Sequence, residues 1–208
     1  MKKFNFIKVV VATLLLFLSS NLQASKFVLS DDGLIDPRAI TKIDEIGNES
    51  FSKLGVNIYV YAKSTLGLDL NISTKDKIKY IKEYESEIIK SLNKPYVLLS
   101  MAVEDTHVNL IVSSSLEQTV DKNEILNSYV VPLLASKDKN STFAKASAAI
   151  LNGYAAIADT IAQSKDIKLE SSIGSSGKVA GTVWKVFMYT LIVVGLLLYI
   201  YAILRRKK

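Results

Sequence analysis

Two short acidic groups are the residues best suited to chemistry: Asp31, Asp32 and Asp36 in "SDDGLIDP", and Glu104 and Asp105 in "AVEDTH". Carboxylate oxygens are the ligands that hard cations take. Asp31, Asp32, Glu104 and Asp105 are therefore the candidate ligands for Ca2+ or another divalent cation, while Asp36 stands before Pro37, where it would cap a helix. No EF-hand spacing links the groups, and solvated turn acids are the plain alternative. His107, the sole histidine, follows the second group and could act as acid or base near neutral pH. Ser113, Ser114 and Ser115 come soon after it, but without a Gly-x-Ser-x-Gly elbow, so no catalytic set is assigned. Cysteine is absent, which excludes a thiol nucleophile, disulfides and cysteine metal sites. Tyr59 with Tyr61, and Tyr80 with Tyr84, sit at strand and helix spacing and would make an amphipathic contact surface where exposed.

The elements that must position these residues follow from period. Asp36, Pro37 and Gly55 mark the start and stop of a helix whose Ile40, Ile43, Ile46, Phe51 and Leu54 recur on one face. "VNIYVYA" alternates as a strand does, and a second helix begins near Ser73 or Thr74 with Ile78, Ile81, Ile88 and Leu92 on one side. "YVLLSMAV" is almost continuously apolar, as a strand covered on both faces would be, and "HVNLIV" reads as its antiparallel partner across the Glu104–Asp105 turn. A helix over 122–134 and a last one from Ser141 or Thr142, with Phe143, Ala146, Ile150, Tyr154, Ile157 and Ile161 on one face, complete the set. The pattern predicts an α/β fold, a small mixed β-sheet sandwiched by helices.

Both ends are apolar and basic. Lys2, Lys3 and Lys8, an apolar core over 9–18 and a small residue at Ala24 follow the plan of a signal peptide, 1–24, cut before Ser25. The run 186–204 is uncharged and long enough to cross a hydrocarbon core, so 184–204 is expected to be one C-terminal transmembrane helix. Arg205, Arg206, Lys207 and Lys208 after it place the tail 205–208 in the cytoplasm. Residues 165–183 are small, polar and aperiodic, a flexible linker behind an extracytoplasmic domain at 25–164. The net charge of +6 divides accordingly: residues 25–178 hold 18 basic and 20 acidic side chains, and the remaining segments hold 8 basic and none acidic. A faintly acidic exported domain offers no patch for nucleic acid.

The words "DDGLID", "LGVNIYVYA", "PYVLLSMAVEDTHVNLIVSSSLE" and "AKASAAILNGYAAIAD" in this order resemble the TPM-domain family, of the thylakoid lumen protein, photosystem II repair factor and acetylcholine-receptor accessory protein type. The resemblance covers about 27–163. Leu116 and Glu117 stand where the family has a Gly-Leu-Glu-like word, and Lys94-Pro95 where it has Asn-Gly. It implies an α/β domain in the bacterial envelope, with divalent-cation binding, phosphatase activity, or assembly and repair of membrane complexes as the associated roles. The tether favours the last: a noncatalytic accessory factor with a membrane or envelope protein as partner, in the cytoplasmic (inner) membrane as a single-pass protein. A divalent-cation-dependent phosphatase is the alternative.

Overall fold

The fold begins with a strand too short to reveal itself by alternation. A computed structural model of the chain describes residues 25–69, 72–174 and 189–190. In it, β1 (Val28–Ser30) lies parallel to β2 (Asn57–Lys63), with the Val60 N–H on the carbonyl of Phe27 at 2.8 Å. β2 pairs in parallel with β3 (Tyr96–Ala102), and β3 pairs antiparallel with β4 (His107–Val112), giving a mixed four-stranded sheet in the order β1-β2-β3-β4. All seven residues of β3 are buried, as its continuous apolar sequence requires of an interior strand.

Helix α1 (Pro37–Leu54) starts and ends where its residue types dictate. Asp36 accepts the Arg38 N–H at 2.9 Å, and Gly55, at φ 68°, turns the chain with its N–H on the Phe51 carbonyl. Ser73 caps α2 (Thr74–Lys90) through the Asp76 N–H. The stretch 122–134, expected as one helix, is α3 (Lys122–Ile125), a π-helical turn (Leu126–Val130) and α4 (Val131–Leu134). Pro132 explains the wider turn, since it has no N–H to donate and its ring crowds the preceding turn. The Asn152 side-chain amide satisfies the Tyr129 carbonyl at 2.8 Å there. Ser141 caps the last helix, α5 (Thr142–Ser164), through the Ala144 N–H.

Alternation along the strands assigns the layers. Leu99 meets α5 beside Gly153, whereas the next residue, Ser100, bonds to Glu85 of α2. Successive strand residues point to opposite faces, so α5 and α2 cover opposite sides of the sheet. Helix α1 shares the α5 side: the Tyr154 hydroxyl lies against Gly47 and donates to the Ile58 carbonyl at 2.8 Å, and Ser147 accepts the Asp36 N–H. The main core lies in this layer, around Phe27, Ile43, Ile46, Leu99, Ile150 and Ile157. Helix α2 buries only Ile81 and Glu85. Three apolar residues expected inward are largely exposed, namely Phe51 at 48%, Ile78 at 49% and Phe143 at 39%. Phe51 instead lies under the ammonium of Lys26, 4.6 Å from its ring centre.

The start of the expected linker belongs to the domain. Leu169 is buried, Lys165 donates to the Leu54 carbonyl at 2.8 Å, and the Glu49 carboxylate takes the N–H groups of Glu170 and Ser171 at 2.9 and 2.7 Å. One apolar residue among polar ones sufficed to dock a segment without periodicity. The segments read as signal peptide and transmembrane helix lie outside the described residues, save 189–190, which are helical. Among the described residues, no helix is long and apolar enough to cross a membrane.

Candidate functional site

Open α/β sheets offer ligands the carboxyl ends of their parallel strands. There the fold gathers the predicted acids, from loops that follow three different strands. Asp31 and Asp32 come after β1, and Glu104 and Asp105 after β3, with the loop 64–67 after β2 between them. Each aspartate has a structural occupation. Asp31 Oδ1 accepts the N–H groups of Leu34 and Ile35 at 2.7 and 3.1 Å, closing its own turn. Asp32 accepts Lys63 Nζ at 3.0 Å on one oxygen and the Ser64 N–H at 3.1 Å on the other. Asp105, 9% exposed, accepts the Leu66 N–H at 2.6 Å and the Thr65 hydroxyl at 3.2 Å. Glu104 is exposed, and its N–H donates to the Ser64 carbonyl at 2.8 Å. Asp32 and Asp105 thus grip one loop from its two sides. The hydrogen bond from Lys63, with that from the Ser64 N–H, holds the Asp32 carboxyl below its ordinary range and raises the Lys63 ammonium in turn.

These residues do not suit a divalent cation. Such an ion needs six or more oxygens converging on one point, including several carboxylates. Here the carboxylates diverge toward backbone amides, and among the described residues no group of three or more His, Cys, Asp or Glu side chains could hold a metal.

A second polar group lies under α2, and nothing in the sequence announced it. Glu85 is 4% exposed, yet its carboxylate stays charged: His107 Nε2 lies 2.8 Å from one oxygen and the Asn109 amide donates to the other at 2.7 Å. Burial alone would raise this carboxyl, but the hydrogen bonds from His107 and Asn109 outweigh it and the net shift is downward. Tyr61, Ser100 and Asn109 stand in register across this face. The hydroxyls of Tyr61 and Tyr84 are hydrogen-bonded, and Tyr84 stacks on Tyr80 with ring centres 6.1 Å apart. Burial, followed by its bond to Tyr84, pushes the Tyr61 hydroxyl well up and keeps it neutral. An acidic residue at helical spacing reads as solvated until the strand beneath it is known to carry His107 and Asn109. The four tyrosines divide: Tyr59 is 5% exposed and serves the core, Tyr61 and Tyr84 are half-buried, and Tyr80 is 39% exposed.

The serine triplet makes no triad with His107. Ser113 lies beyond the far end of β4, roughly 20 Å along the strand at about 3.4 Å per residue. Ser113 Oγ takes the Tyr96 N–H at 3.1 Å. A groove of about 440 Å³ lies on the other side, where α1 and α5 begin, walled by Ala39, Phe143, Ala144 and Leu151. Its Asp36 and Arg38 are tied to each other at 3.0 and 3.1 Å, and its Ser147 to the Asp36 N–H. None of the three is aimed at an incoming group.

No family model matches the chain, and no curated protein is similar to it. Solved structures are. The N-terminal domain of a protein from P. gingivalis matches with a TM-score of 0.52 at 14% identity, over 70% of this chain and 88% of that one. The N-terminal domain of the cg2496 protein of Corynebacterium glutamicum matches with a TM-score of 0.41 at 15% identity, over 76% and 88%. The BA42 protein of the psychrophilic bacterium Bizionia argentinensis matches with a TM-score of 0.41 at 13% identity, over 70% and 97%. At such identities it is the first of these that fixes what is shared, and what is shared is a fold: a mixed sheet with helices, as in a bacterial N-terminal domain.

Proposed function

We propose that the chain is a TPM-like domain, exported and held at the cytoplasmic membrane by the apolar run 184–204, that works as a noncatalytic accessory, assembly or repair factor for a membrane or envelope complex. One observation carries the noncatalytic part. The aspartates that sequence offers for chemistry, Asp31, Asp32 and Asp105, each accept hydrogen bonds from two or more donors within the domain. The apolar run with four basic residues behind it supports the anchor, with the domain outside and the tail within. A single span confines a domain to a thin layer and raises its effective concentration for neighbours in the same membrane. A binding protein gains from this, whereas an enzyme of freely diffusing substrate gains little.

Two experiments in intact cells test the reading. The full chain should stay with membranes through alkaline extraction, and protease added to spheroplasts should digest its domain; removal of 184–208 should release it. A photo-cross-linker at Thr65 or at Glu104 should then capture one reproducible membrane or envelope protein. A chain that extracts as a soluble protein, or cross-linking that never repeats a partner, overturns the proposal. Hydrolysis of p-nitrophenyl phosphate that required added Mg2+ or Ca2+ and vanished in Asp105→Ala would establish the phosphatase instead.

A further inference from the structure

We infer that the ammonium groups of Lys63 and Lys77 stand where a divalent cation would be held, so that the loop 64–67 is closed by internal charge in place of a metal ion. The two kinds of oxygen that Ca2+ prefers, carboxylate and backbone carbonyl, are both present at this edge. Lysine takes one of each. Lys63 Nζ lies 3.0 Å from Asp32 Oδ1, and Lys77 Nζ donates to the Asp105 carbonyl at 2.5 Å. The remaining oxygens are committed to the loop, Asp32 Oδ2 to the Ser64 N–H and Asp105 to Leu66 and Thr65. The two aspartate charges face two lysine charges. A divalent ion entering here must displace both ammoniums or sit beside them, and the oxygens left to it are fewer than the six that either Ca2+ or Mg2+ requires.

The lysines come from different elements, Lys63 from the end of β2 and Lys77 from the first turns of α2. A compact ammonium with three donors on a flexible stem is well suited to such a place, since it can meet oxygens from several directions as an ion does. The difference lies in control. A metal-closed loop opens when the ion is removed, whereas a lysine-closed loop is indifferent to the ion concentration outside the cell membrane.

Thermal unfolding of the full chain in detergent tests this, followed by circular dichroism in excess EDTA and in millimolar Ca2+ or Mg2+. The wild type should melt at the same temperature in all three. In Lys63→Gln, with Asp32 left without its ammonium, Ca2+ should restore an upward shift of about 5 °C, the scale that a site well above its dissociation constant produces. Asp32→Ala introduced into that variant should remove the response. Titration calorimetry of the folded wild type with Ca2+ gives a second reading that needs no variant to fold, and no binding heat is expected. A wild-type shift or binding heat lost in Asp32→Ala would overturn the inference, and so would a folded Lys63→Gln that gains no response to either ion.

Discussion

Glu49 shows how much a single side chain can do when several donors converge on it. Lys53 reaches it at 2.6 Å, the N–H groups of Glu170 and Ser171 at 2.9 and 2.7 Å, and the Ser171 hydroxyl bonds to it as well. Burial would raise its pKa, but these donors outweigh burial and bring it down to about 2. A carboxyl lowered on folding adds stability that is full above its unfolded value and is lost as pH falls toward the folded one. Segment 165–174 is therefore expected to resist protease near neutral pH and to detach as the pH falls from about 4.5 toward 2. In Glu49→Gln it should be cleaved readily at neutral pH, and a variant as resistant as the wild type there would refute the clasp. The sequence could not show this role, because Glu49 meets residues more than a hundred positions away. The same holds for Asp105. Its position in a hairpin turn was legible, but which backbone it would serve depended on where β2 ended.

Helices and strands were the most legible level wherever the signal was local. Asp36, Ser73, Ser141 and Gly55 each act within a few residues of themselves, so their types alone located three helix starts and one stop. β1 was missed because three residues give no period, and the π turn because Pro132 changes a helix without ending it. Helical spacing also put Phe51 and Phe143 inward, although a regular stripe records only direction and not how far the neighbouring layer extends. Close approach is readable only in the structure. A Cβ at Gly47 would lie 2.5 Å from both the Phe27 ring and the Tyr154 hydroxyl, and one at Gly153 2.5 Å from Val130. Gly47→Ala is expected to destabilise by about 1–3 kcal/mol in denaturant unfolding despite the better helix propensity of alanine. Gly153→Ala should cost less, since a Val130 methyl is the one atom in its way. Helix α2 is held differently, by Glu85 and few apolar contacts. Glu85→Ala would leave His107 and Asn109 without their buried acceptor and should cost about 3 kcal/mol. Hydrogen exchange should then speed up first in α2, with β3 still the slowest; equal protection of α2 in the variant would contradict the assignment.

At the scale of the molecule, the class of fold was legible and the use of its surface was not. Alternating helix and strand signals with one hairpin leave few arrangements, and the mixed sheet with helices is among them. Which acids, tyrosines and lysines would meet required the register, in which Tyr61, Ser100 and Asn109 fall side by side from three distant stretches of chain. The docking of 165–171 carries a consequence for direction. Lys165 is fastened to Leu54, three residues before β2 begins, whereas the loops 64–67 and 104–106 lie past the other ends of the strands, roughly 20 Å away at about 3.3 Å per residue. Whatever follows residue 174 leaves from one pole of the domain, and the lysine-closed loops crown the other. A body hung from that first pole would keep its crown turned outward from its point of suspension, the pole that a visitor from beyond the membrane would meet first.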